Sequence, residues 1–127
     1  MGCSGIREES LIRCIYEIKD NNWIQIINNR DGVNINKEIE SKIKIWNNNR
    51  REKLIFNKKF YQLGLNTVEF KIEEKLTNLS YIFKDCSLLK KIEFIGRLSE
   101  NVVNMQSMFS GCKIYNQSIY LIFILLM

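Results

Sequence analysis

The chain has 127 residues and a formal net charge of +5, with 19 Lys and Arg set against 14 Asp and Glu, and it contains neither His nor Pro. Without His it lacks the usual neutral-pH acid/base group and the commonest metal ligand, and Cys3, Cys14, Cys86 and Cys112 form no Cys-x-x-Cys pair for a closed zinc site. A hydrophobic fraction of 46% excludes a disordered chain and suits one compact domain with a core of modest size.

The surplus of cations does not gather into a phosphate-binding face. Acids interrupt it throughout, as in Arg50-Arg51-Glu52-Lys53 and Lys71-Ile72-Glu73-Glu74-Lys75, so a solvated mixed surface is expected and a nucleic-acid partner is not. Ile, Asn and Lys dominate while Ala is absent, a bias of AT-rich codons that assigns the Asn runs no role beyond turns.

At the N-terminus, Met1-Gly2-Cys3-Ser4 presents candidate acylation sites, a myristoyl group on Gly2 and a palmitoyl group on Cys3. Ile6 stands where the full motif takes Ser or Thr; the alternative is a disordered, unmodified segment over residues 1–10. No secretory signal follows, and no apolar run reaches the ~20 residues of a spanning helix. The expected location is the cytoplasm or the cytoplasmic face of a membrane.

From Leu11 onward, period-2 alternation predicts strands. Ile12, Cys14, Tyr16 and Ile18 share one face of the first, and Trp23–Ile27, Lys42–Trp46, Lys53–Phe56 and Thr67–Ile72 follow. Asn36-Lys37-Glu38-Ile39-Glu40 is read as a short helix capped by Asn36. Residues 11–64 form a strand-rich cap region on this reading.

The period then changes. Leu79, Ile82, Phe83 and Cys86 recur at i, i+3, i+4 and i+7, and Met105, Met108, Phe109 and Cys112 repeat the scheme 26 residues later. Each set predicts one face of a short helix. Val68-Glu69-Phe70 is matched by Ile92-Glu93-Phe94 after 24 residues, so the chain reads strand, helix, strand, helix, as a stacking repeat would. All eight residues of the two sets are assigned to the repeat core.

The segments Leu76-Thr77-Asn78-Leu79-Ser80-Tyr81-Ile82-Phe83-Lys84-Asp85-Cys86 and Val103-Asn104-Met105-Gln106-Ser107-Met108-Phe109-Ser110-Gly111-Cys112 resemble the BspA-like leucine-rich repeats, a family of 26-residue-repeat surface proteins common in protists. Leu89-Lys90-Lys91-Ile92-Glu93-Phe94 and Tyr115-Asn116-Gln117-Ser118-Ile119 are similar to the segments that follow the Met-Phe element. The resemblance covers residues 65–119. It implies an α+β fold, with the strand-rich cap followed by about one and a half strand–short-helix solenoid repeats. It also implies recognition without shared catalytic residues or a cofactor.

Two features bear on the ends of such a stack. A Cys86–Cys112 disulfide is not expected, because stacking at one-repeat distance is read as too wide. The apolar tail over residues 120–127 is expected to fold back over Met105, Met108 and Phe109.

No constellation of catalytic residues emerges. No His activates a Ser or Cys nucleophile, and Glu73-Glu74 diverge in either a strand or a helix. No enzyme, cofactor, metal or small-molecule substrate is expected. The leading expectation is a repeat scaffold for protein–protein interaction, with Glu69, Lys71, Lys91 and Glu93 exposed on one face. The alternatives are a dually acylated membrane-associated protein and a truncated gene product without independent function.

Overall fold

A computed structural model describes residues 10–28, 37–47, 50–96 and 103–112. The alternating front run is strand β1 (Leu11–Ile18). Next come β2 (Trp23–Gln25), helix α1 (Lys37–Lys42), β3 (Ile43–Asn47), β4 (Arg50–Glu52), β5 (Asn57–Lys59), β6 (Gly64–Ile72) and β7 (Leu89–Ile95). One sheet has the order β4-β3-β6-β1-β7, and β2 pairs with β5 in a separate ribbon. Among the described residues α1 is the one helix, and no helix is long and apolar enough to cross a membrane.

β1 is an interior strand, flanked by β6 and β7. It runs antiparallel to β6, with Ile12 opposite Phe70 and Cys14 opposite Val68, and antiparallel to β7, with Ile12 opposite Phe94 and Cys14 opposite Ile92. Directly paired residues point to the same side of a sheet, so Ile12, Cys14, Val68, Phe70 and Ile92 form one continuous apolar face, all buried. Each fully buried Ile or Phe contributes roughly 1.5–3 kcal/mol relative to exposure. The register shifts between Ile15 and Tyr16. Buried Tyr16 satisfies its hydroxyl by donating to the Ile26 carbonyl at 2.6 Å.

This sheet overturns the expected strand–helix solenoid. In such a stack the strands containing Phe70 and Phe94 would be neighbours; here β1 separates them, and the pairing is antiparallel. β1 carries an apolar face and backbone groups along both edges, so its insertion between β6 and β7 satisfies both edges at once. Leucine-rich repeat and solenoid are therefore not the architecture of this chain, and its class is an antiparallel β-sheet with very little helix.

The two predicted repeat helices are also corrected. Residues 78–86 and 104–112 are successions of turns, and left-handed residues interrupt any helix: Tyr81 at φ 61°, Asp85 at 64°, Ser107 at 52° and Gly111 at 81°. Within the first segment only alternate amides bond locally, Ile82 to Leu79, Lys84 to Tyr81 and Cys86 to Phe83. The amides between them cross to the second segment, Leu79 to Asn104, Tyr81 to Gln106, Phe83 to Met108 and Asp85 to Ser110, at 2.7–3.1 Å. A helix this short would leave its first amides, those of Leu79 and Tyr81 among them, without internal acceptors; a stacked neighbour offering carbonyls makes the turns competitive. Asn78 and Asn104 begin the segments alike, each accepting on Oδ1 from the amide two residues on, Ser80 at 2.8 Å and Gln106 at 2.9 Å.

The turn stack leads to a prediction. Gly111 has φ +81°, and a Cβ there would collide with the Asp85 carboxylate and lie 3.2 Å from the Asp85 Cα. Gly111→Ala is expected to cost roughly 1–3 kcal/mol in urea unfolding. Gly64→Ala, at φ +97° with nothing within 4 Å, carries the backbone strain alone and should lose less. Equal losses would refute the close approach at Asp85.

Two smaller corrections concern the middle of the chain. The strand read at Lys53–Phe56 is an irregular link between β4 and β5, where the Phe56 carbonyl accepts from the Ile26 amide at 2.9 Å. The run Trp23–Ile27 stops as a strand at Gln25. Residues 1–9, 29–36, 48–49, 97–102 and 113–127 lie outside the described residues, and with them the expected disorder of residues 1–9, the cap assigned to Asn36, the Tyr115–Ile119 element and the expected fold-back of the tail; the Ser10 carbonyl accepts from the Ile72 amide at 2.9 Å.

Candidate interaction surface

The sheet has two unlike faces. Opposite the core side, β1 carries Leu11, Arg13 and Ile15, β6 carries Thr67, Glu69 and Lys71, and β7 carries Lys91, Glu93 and Ile95, because the registers align them. β3 adds Lys44 and Trp46, paired with Lys71 and Glu69. These side chains are half-buried or exposed. Trp46, Glu69, Arg13 and Glu93 thus make a single row across four strands.

The row is held by charge. Arg13 Nε donates to Glu69 Oε2 at 2.7 Å, and a second guanidinium nitrogen lies 4.0 Å from Glu93 Oε1. The hydrogen bond to Glu69, with the charges of Glu69 and Glu93, raises Arg13 above its ordinary value despite some opposing desolvation. Pairs this exposed contribute little to stability, about 0–1 kcal/mol. Beside the row, Lys71 Nζ lies 4.7 Å from the Trp46 ring centroid. Lys44 stands directly opposite Lys71, a like-charge pairing that opposes sheet formation.

The thiols belong to the interior. Cys14 and Cys86 are buried and Cys112 half-buried, all unbridged. Burial first, then the neighbouring Cys112, pushes the Cys86 thiol up to about 12, against a smaller opposing hydrogen bond from Gln25. Burial pushes Cys112 up to about 11, and its Sγ donates to the Phe83 carbonyl at 2.8 Å. Both stay protonated at neutral pH and are poor nucleophiles.

Of the residues assigned to the repeat core, Leu79, Ile82, Phe83, Cys86 and Met108 are fully buried, while Met105, Phe109 and Cys112 pack against them half-buried. They form packing surface rather than a binding site. Gly2 and Cys3 lie outside the described residues. An open cleft of about 670 Å³ is lined by Glu40, Lys53, Leu54, Ile55, Phe56 and Asn57. Among the described residues no three His, Cys, Asp or Glu side chains cluster as metal ligands would.

Sequence reasoning missed Lys44 and Trp46 as surface partners of Lys71 and Glu69. Alternation places Lys44 and Trp46 on the polar side of their strand, but the identity of the adjacent strand is a tertiary fact. Comparison with protein-family models, with curated proteins and with solved structures found no match.

Proposed function

We propose that this chain is a non-enzymatic binding module that recognises a protein partner through the outer face of its sheet. The observation that carries this reading is the Lys44–Lys71 pair beside Trp46. Lys44 and Lys71 stand opposite each other on this face with the Trp46 ring beside them, a cationic and aromatic pairing that an acidic group of a partner would complement. Glu69, Lys71, Lys91 and Glu93 lie on the same face, where interleaved charges confer specificity more than fold stability. Half-buried Leu11, Ile15 and Ile95 lie between them and supply apolar contact area.

Lys44→Glu separates binding from folding. It converts the repulsive cross-strand pair into an attractive one, so the thermal midpoint should hold or rise, by up to about 1 kcal/mol of stability. A partner retained by the wild-type chain in quantitative affinity capture should be lost with the variant. Identical captured sets for both chains would refute the outer face as the binding surface.

A further inference from the structure

A second surface lies at the end of the sheet where β1 stops and β6 begins, about 20 Å along β6 from Lys71. Trp23 is 68% exposed, Tyr61 83%, Leu63 59% and Leu65 69%. Trp23 pairs with Lys59 across the β2–β5 ribbon, and Lys59 Nζ lies 6.0 Å from the Tyr61 ring centroid. The same link continues through Leu63 to Leu65, and Gly64 and Leu65 pair with Ile18 and Glu17. The Asn66 side-chain amide ties the turn by donating to the carbonyls of Gln62 at 2.8 Å and Gly64 at 3.2 Å. Two aromatics and two leucines therefore stand in solvent on adjoining turns.

Their backing is packed on the core. Phe60, between Lys59 and Tyr61, is buried against Tyr16 with ring centroids 6.3 Å apart, and Ile24 packs on the core beneath Trp23. The exposed side chains are thus presented outward rather than left over from a poorly packed end. Singly exposed apolar residues are ordinary on protein surfaces, whereas a contiguous group marks an interaction site.

Charge identifies the occupant. Segments 17–25 and 57–65 contain Lys19, Lys58 and Lys59 against the acids Glu17 and Asp20; Lys90 pairs with Glu17 at 3.3 Å, and the Asp20 carboxylate accepts from the Asn22 amide at 3.0 Å. Lys58 Nζ lies 5.4 Å from the Phe60 ring, so both lysines set their amines over aromatic rings beside the exposed group. Trp and Tyr at the tip, Leu beside them and Lys around them match the layering of a bilayer interface, with apolar rings at headgroup depth and amines among phosphates. We propose that these two turns form a patch that docks on anionic lipid bilayers.

Trp23 supplies the readout. In the full chain with Trp46→Phe, Trp23 is the remaining tryptophan. Its emission should shift to the blue, and the protein co-sediment, with vesicles of equal parts phosphatidylserine and phosphatidylcholine, and do neither with phosphatidylcholine alone. Trp23→Ala combined with Tyr61→Ala should abolish sedimentation, while Lys58→Gln and Lys59→Gln should each weaken it roughly five-fold, the equivalent of about 1 kcal/mol per lysine. Absence of any shift with the anionic vesicles would overturn the proposal, as would equal binding to both vesicle types. A concentration-dependent blue shift without lipid would instead assign the patch to a second copy of the chain.

Discussion

Raising the pH above 9.0 is expected to unfold the protein through its buried thiols. A thiol exposed in the unfolded chain titrates near 9.0, whereas Cys86 in the folded chain is held at about 12. Below pH 9.0 both states keep the proton and stability is unaffected. Between pH 9.0 and about 12 the unfolded chain releases a proton that the native chain retains, so stability falls as pH rises. A gap of this size amounts to about 4 kcal/mol from Cys86 alone.

Burial also raises Cys14 and Tyr16 well above their ordinary values, with the same sign, and half-buried Cys112 adds a smaller share. Urea midpoints measured across this range should stay level to pH 9.0 and then drop steeply. Cys86→Ala should lower the neutral-pH midpoint by leaving a cavity, yet decline less steeply above pH 9.0. Parallel alkaline declines in the variant and the wild type would show that Cys86 is not a source of the effect.

Phe83→Ala is the substitution expected to destabilise the fold most at neutral pH. Its ring is fully buried, with Phe70 of β6 tilted against it at 6.1 Å and Phe109 stacked on it at 6.2 Å and 6°. It therefore joins the sheet to both turn segments. Removing such a ring costs about 3–5 kcal/mol, against a total of about 5–15 kcal/mol for an ordinary domain. The half-buried Phe109→Ala should cost clearly less, since its site is partly open to solvent. Equal shifts of the urea midpoint for the two variants would contradict the central position of Phe83.

Much of the interior was legible because burial leaves a periodic trace. Ile12, Cys14, Tyr16 and Ile18 alternate in the sequence and are buried on one face of β1. The set Leu79, Ile82, Phe83 and Cys86 is buried too, but on a backbone that its periodicity misnamed. A spacing of i, i+3, i+4 and i+7 states which side chains turn inward. It does not state whether alternate amides close on their own segment or on a neighbour. β4 and β5 escaped detection because Arg50–Glu52 and Asn57–Lys59 are polar throughout and have no buried face to alternate with.

The candidate surfaces were less legible than the core. Glu69, Lys71, Lys91 and Glu93 can be placed on one side of their strands by parity alone. Lys44 opposite Lys71 cannot, since that pairing depends on β3 lying beside β6. The tip patch has a similar origin: Trp23 and Tyr61 are 38 positions apart, and the ribbon that joins β2 to β5 brings them to one end.

Residue types alone dictate which side chains are apolar enough to be buried, and they leave the chain without a histidine for neutral-pH acid/base chemistry. Tertiary structure decided how the backbone satisfies its hydrogen bonds. It inserted β1 between β6 and β7 and gave alternate amides of residues 79–85 to the neighbouring turn segment. Apolar burial is a property each side chain carries with it. A backbone donor, by contrast, accepts any carbonyl within reach, and which one is nearest depends on how distant parts of the chain have packed.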